Sequence, residues 1–204
     1  LEIAKSKKFL FKLIESENLK PGIFAVSSWN EDLNTLTYKQ DIYNVSTNTW
    51  LRDELNPEPS TFEVYKVLKD NLSINFDEKN TLVKISYSHV SPHFAQEIVS
   101  TIETALNLEL KNRNIKEAEV SISLLESSAT TTSNIDLKGL LYELVEEQTK
   151  KLLLAKSRQY YILEPIDPPI VPEEKSSPKR GLILISFTVL YFFMGGLILI
   201  YLRN

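Results

Sequence analysis

Cysteine is absent from the 204-residue sequence, and glycine is scarce, with five residues in all. The lack of cysteine excludes disulfide bonds, zinc–thiolate sites and cysteine nucleophiles within this chain. Because no two glycines lie close together before residue 180, no glycine-rich loop can surround a phosphate with backbone amides. The sequence therefore offers no nucleotide-binding motif.

Histidine is also rare, and its two copies do not form a metal-ligand pattern. His89 and His93 are separated by Ser91-Pro92, which is typical of a helix start, so the two imidazoles do not share one helical face. The acidic residues follow patterns typical of solvated helix faces, not of a catalytic pair. We expect no metal, no cofactor and no enzymatic activity.

Basic charge is not in excess, since the net charge is −4 and the isoelectric point is about 5.4. A chain of this charge does not present a surface that tracks phosphates, so nucleic acid is not an expected partner. Hydrophobic residues make up 43% of the chain, which indicates a folded protein with a core.

One long apolar run is present at residues 181–202, and it contains no charged residue. As a helix it would be about 33 Å long, enough to cross a hydrocarbon core of about 30 Å. Its aromatic residues go round the helix instead of marking one stripe, which favours a membrane span over a buried core helix. The proline-rich residues 165–178 should run extended before it as a stiff strut.

The strut carries a motif, P-x2-P-x4-S-P-K. Its members are Pro169, Pro172, Ser177, Pro178 and Lys179. With an apolar run directly after it, this motif resembles that of the Wzz-type polysaccharide chain-length determinants, also called polysaccharide co-polymerases. The resemblance extends to residues 140–150 and 166–169. The chain departs from the family in its apolar run, where only Gly195-Gly196 remains of a usually glycine-rich second half.

The resemblance implies a protein of the bacterial inner membrane that sets the chain length of a surface polysaccharide, typically lipopolysaccharide O-antigen. It implies two transmembrane helices around a periplasmic domain, a ring-like homo-oligomer, and cooperation with a Wzy-type polymerase and lipid-linked polysaccharide. Since residue 1 is leucine, we expect the upstream transmembrane helix to be missing from this chain. The five motif residues are expected to form a rigid structural connection.

Charges beside the apolar run indicate the opposite topology. Lys175, Lys179 and Arg180 precede the run and Arg203 follows it, so the positive-inside rule would place the large domain in the cytoplasm. Large domains translocate largely regardless of charge, and an upstream span would dominate the orientation. We therefore follow the resemblance and expect a periplasmic domain.

The predicted fold is α+β, with a membrane-proximal α/β base domain, a projecting antiparallel helical hairpin and a C-terminal transmembrane helix. Residues 1–90 are assigned to the base and residues 91–159 to the hairpin. Residues 160–180 are predicted to form a return strand and the proline-rich strut, and residues 181–202 the transmembrane helix. In the base we expect an amphipathic helix over 1–18.

Later base residues have clearer local signals. Ser60 and Glu63 have capping-box spacing before a helix, and residues 73–88 alternate as a β-hairpin with one buried face. Between the first helix and Ser60 the chain is expected to be irregular, with Trp29 and Trp50 among amide and hydroxyl side chains.

The hairpin helices carry a coiled-coil-like apolar seam, interrupted by a linker predicted at 127–134. Two polar members of the seam, Asn112 and Gln148, lie equally far from a turn centred near Thr130. We predict that they meet and form a hydrogen bond that fixes the register.

Two other functions remain open from the sequence. The chain could belong to a capsule or exopolysaccharide export system, coupled to a transporter or a tyrosine kinase. Alternatively, it could be a membrane-tethered glycan-binding module in which Trp29 and Trp50 form the ligand platform; packing of these rings onto the core is the simpler interpretation.

Overall fold

The computed structural model describes residues 2–158, 163–172, 184–192 and 194. The chain divides into two compact units, Leu1–Val171 and Pro172–Asn204. The first unit contains the base and the helical hairpin.

The first unit alternates helices with short antiparallel hairpins. Its elements are α1 (Glu2–Lys5), α2 (Lys7–Ser16), a π-helical turn (Pro21–Ala25), β1 (Val26–Asn30), β2 (Thr35–Tyr38), β3 (Tyr43–Asn44), β4 (Thr49–Trp50), α3 (Thr61–Asn71), β5 (Leu72–Asp77), β6 (Leu82–Tyr87), α4 (Pro92–Thr131) and α5 (Ile135–Ser157). The strands pair as β1–β2, β3–β4 and β5–β6, each pair antiparallel. The α+β part of the predicted fold is therefore confirmed.

The first helix is divided at Ser6. Its hydroxyl donates a hydrogen bond to the carbonyl of Ile3 and accepts one from the amide of Phe9, so it ends α1 and caps α2. The predicted apolar face is present, because Phe9, Leu10, Leu13 and Ile14 are buried.

The core of the base lies where α2, α3, the β5–β6 hairpin and the first turns of α4 meet. Its largest fully buried side chains are Leu10, Ile14, Leu68, Ile98, Ile102, Val64 and Pro59. The β5–β6 hairpin contributes Ile74 and Tyr87 from its buried face, as its alternation predicts. The predicted capping box also forms, since Ser60 and Glu63 each bind the other's backbone amide.

The segment expected to be irregular contains two hairpins, β1–β2 and β3–β4. The prediction missed them because they turn on asparagine and not on glycine. Asn34 and Asn48 adopt left-handed backbone conformations, with φ of 47° and 52°, which asparagine tolerates better than most residues. Asn30 and Asn44 begin the same turns by accepting backbone amides with their side-chain oxygens.

The hairpin of α4 and α5 begins as predicted, with Ser91 capping the amide of Phe94. The linker predicted at 127–134 is wrong over most of its length, because α4 continues to Thr131. Its serine and threonine hydroxyls bond to carbonyls one turn earlier, as Ser128 and Thr130 do, and so do not interrupt the helix.

The predicted transmembrane helix is contradicted: no helix in the described part of the chain is both long and apolar enough to cross a membrane. Length and apolarity are found on different helices. α4, with 40 residues, is long but carries charged side chains along its length, whereas the helix at 184–192 is apolar and described over too few residues. Residues 181–183, 193 and 195–202 of the predicted span lie outside the described residues.

Candidate functional site

The P-x2-P-x4-S-P-K motif lies only partly within the described residues. Pro169 is half-buried, and its carbonyl accepts a hydrogen bond of 2.8 Å from Nε2 of Gln96 in α4. Pro172 is exposed. Ser177, Pro178 and Lys179 lie outside the described residues, so the rigid connection assigned to the motif stays a prediction.

The described part of the proline-rich segment, residues 163–172, forms no helix or strand and bends at Ile166–Asp167. Leu163 packs against the core of the base. Together with the Gln96 bond, this contact holds the segment against the base. Residues 160–162 of the predicted return strand lie outside the described residues.

The predicted register pair does not form a hydrogen bond among the described side chains. Asn112 is exposed and Gln148 half-buried. The symmetry argument fails because the loop between α4 and α5 is Thr132–Asn134, later than the turn assumed near Thr130.

Other pairs join the two helices of the hairpin. Nζ of Lys156 lies 2.9 Å from a carboxylate oxygen of Glu119, and Nζ of Lys111 donates to the carbonyl of Arg158 at 2.8 Å. Both contacts are solvent-exposed, so each contributes little to stability. These two contacts therefore define the register of the two helices but add little to the stability of the hairpin.

The hairpin has a thin seam and much exposed apolar surface. Beyond Asn107, the buried residues of α4 are Ala118 and Ala129, and that of α5 is Ala155. Many of the larger apolar side chains stay exposed: Leu108, Val120, Leu124, Ile135, Leu137, Leu140, Tyr142, Leu144, Leu153 and Leu154. A single hairpin therefore leaves many of its bulky apolar residues without cover.

Four aromatic rings form a continuous row beside the small hairpins. Phe24 and Trp50 have centroids 6.3 Å apart, Trp50 and Tyr43 4.8 Å, and Tyr43 and Tyr38 5.6 Å. These distances are typical of tilted aromatic packing. Arg52 lies over the Phe24 ring at 5.3 Å and pairs with Glu54 and Glu63, which ties the row to α3.

Trp29, predicted as a partner of Trp50 in one platform, has other contacts. Its indole N–H donates to Oδ1 of Asn34 at 2.9 Å, and its ring lies 6.1 Å from that of His93. The two tryptophans thus have different ring partners. Trp50 packs within the aromatic row, in line with the simpler interpretation.

The two histidines have separate roles. Nδ1 of His89 accepts the Ser91 amide at 3.2 Å, and its Nε2 then donates to the carbonyl of Gly22 at 3.1 Å. Burial lowers the pKa of His89, which favours the neutral imidazole. His93 is exposed. Among the described residues, no cluster of three or more histidine or acidic side chains could hold a metal.

No family model matches this chain, and no curated protein matches it.

Proposed function

We propose that the chain is a non-enzymatic, oligomeric regulator of the length of a bacterial surface polysaccharide, lipopolysaccharide O-antigen in the first instance. It acts at the inner membrane with its large domain in the periplasm, together with a Wzy-type polymerase and lipid-linked polysaccharide. The observation that carries the proposal is the long α4–α5 hairpin with its exposed apolar residues. The motif at Pro169 and Pro172 supports the choice of family.

The hairpin needs a partner for a physical reason. Two helices in contact bury only one face each, and beyond Asn107 the buried residues of this hairpin are alanines. Leu124 is 65% exposed and Leu137 44% exposed. Covering such residues with a different surface of a second copy removes apolar area from water, at about 25 cal/mol per Å². Repetition of this contact by rotation closes a ring.

A ring of this kind regulates polysaccharide chain length without catalysing a reaction of the sugar. The subunits hold the polymerase and the growing chain in a fixed geometry, so chain length follows from assembly and contacts. The charged residues of α5 fit this assignment, since Glu146 pairs with Lys150 and Glu147 with Lys151 on an exposed face. Such pairs support a solvated helix.

The first test is deletion of the full-length gene in its host, with surface polysaccharide compared on a silver-stained gel. We expect a clustered band distribution to become a random ladder, and complementation to restore the clusters. An unchanged ladder with loss of capsule would assign the protein to polysaccharide export instead. An unchanged glycan profile would refute both assignments.

The second test addresses the hairpin directly. Leu124→Gln with Leu137→Gln removes exposed apolar surface, and Glu126→Gln with Lys138→Gln is the matched control on the same helices. We expect the leucine variant to lose assembly in sedimentation and to give a random ladder, with the fold retained. Assembly equal to that of the control would overturn the role of the hairpin.

A further inference from the structure

A polar cleft of about 560 Å³ lies between β2 and the turn that follows β3. Its volume is within the range of about 300–1,000 Å³ that is typical of small-molecule sites. None of the eight described lining residues is charged. Six of them carry hydroxyl or carboxamide groups: Thr37, Tyr38, Gln40, Tyr43, Asn44 and Ser46.

The geometry fixes part of this lining in advance. The hydroxyl of Tyr43 donates to Oδ1 of Asn48 at 3.1 Å, and its ring packs against Tyr38 and Trp50. Oδ1 of Asn44 accepts the amides of Ser46 and, at 3.3 Å, of Thr47. The rings and the turn are therefore held in place before any ligand arrives, which lowers the entropy cost of binding.

The chemistry of the lining selects the ligand class. Hydroxyl and carboxamide groups both donate and accept hydrogen bonds, as sugar hydroxyls do. The half-buried ring of Tyr38 supplies a flat apolar surface for the C–H face of a pyranose. An anionic or cationic ligand would be desolvated here without a counter-charge from the lining, which is unfavourable.

We propose that this cleft binds a neutral saccharide segment, the sugar portion of the polysaccharide that the protein regulates. The inference rests on the proposed function for the source of the saccharide. It goes beyond that function by giving each subunit its own contact with the growing chain, in the base and not on the hairpin.

The probe is delipidated polysaccharide, released by mild acid from the host envelope and separated into neutral and acidic fractions. Trp50 reports binding through its fluorescence, because its ring packs against Tyr43 of the cleft. For this measurement Trp29 is replaced by phenylalanine in the full chain, which leaves Trp50 as its single tryptophan. We expect a saturable change with the neutral fraction. Saturation with the acidic fraction alone, or with neither fraction, would overturn the proposal.

Variants locate the site. Thr37→Val with Ser46→Ala removes two hydroxyls from the lining, and Thr35→Val, on the same strand but outside the cleft, is the matched control. Loss of two neutral hydrogen bonds should weaken binding about tenfold, with the control unchanged. Equal weakening by the control would place the ligand elsewhere.

The cleft and the regulatory function can fail separately. If gene deletion abolishes length control but the protein binds no saccharide, the saccharide site in the cleft is refuted and the proposed function stands. If saccharide binding depends on Thr37 and Ser46 but gene deletion does not change the surface glycan, the proposed function is refuted and the saccharide site stands.

Discussion

A Cβ atom on Gly22 would overlap Cζ of Phe94, so the first turn of α4 packs directly on the backbone of the π-helical turn. The same turn is bonded through the Gly22 carbonyl to His89. Gly22 does not have a positive φ. The close approach of the Phe94 ring, and not backbone conformation, therefore favours glycine here.

Gly22→Ala should lower the free energy of unfolding by about 1–3 kcal/mol, because the added methyl forces the Phe94 ring to move. Gly139→Ala is the control, since a Cβ atom there meets no atom within 4 Å. In the second turn of α5 this alanine should stabilise the protein by about 0.5–1 kcal/mol. Urea unfolding measures both, and equal effects would contradict the close packing. When Phe94 is also replaced by alanine, Gly22→Ala should no longer lower the free energy of unfolding.

Ser60→Ala should cost about 1 kcal/mol, because the amide of Glu63 loses its capping partner. Ser100→Ala, at an exposed position within α4, is the control and should be neutral or slightly stabilising. Chemical unfolding at neutral pH compares them. A destabilisation by Ser100→Ala of the same size would show that the cap is not responsible.

Glu63 gives the capping box a pH dependence. The Ser60 amide, then Arg52 and the Ser60 hydroxyl, lower the pKa of Glu63 from 4.5 to about 2. Since the folded pKa is the lower one, the stabilisation is present above about 4.5 and is lost as pH falls toward about 2. Glu63→Gln should therefore be less stable than the native chain at neutral pH and equal to it near pH 2. A difference that is constant with pH would contradict the assignment.

His89 should make stability fall in mild acid. Burial lowers its pKa below 6.5 in the folded state, so the unfolded chain takes up a proton first, and stability decreases as pH falls below about 6.5. Protonation also removes the acceptor for the Ser91 amide. His89→Gln should flatten this dependence in urea unfolding between pH about 7.5 and 5.5, whereas His93→Gln, on the exposed side, should retain it. If the pH dependence of stability is flattened by His93→Gln and not by His89→Gln, the prediction is refuted.

Gln96→Leu should release the segment 163–172 from α4. Loss of the bond to the Pro169 carbonyl removes about 1 kcal/mol of local stabilisation. Limited proteolysis should then cut this segment faster, while cleavage of the α4–α5 loop stays unchanged as an internal control. Gln148→Leu, on α5, should leave both rates as they are. Unchanged cleavage of 163–172 in Gln96→Leu would show that the bond does not hold the segment.

Local signals in the sequence predicted the elements whose stability is local. The Ser60–Glu63 box, the Ser91-Pro92 start of α4 and the alternation of β5–β6 were all confirmed, since caps and periodicity act within a few residues. The turns at Asn34 and Asn48 were missed, although a repeated N-x-x-x-N spacing was present as a signal. The linker predicted at 127–134 was wrong because serine and threonine hydroxyls can donate hydrogen bonds to carbonyls of their own helix.

By itself, the sequence determined the α+β class, the amphipathic face of α2 and the existence of a helical hairpin, because these follow from spacing along the chain. Only the tertiary structure decided what spacing cannot encode. It placed Phe94 on Gly22 and Gln96 on Pro169, and it assembled Tyr38, Tyr43 and Asn44 around one cleft. Each of these contacts depends on how separate elements bury their shared core, and that packing is a property of the whole chain.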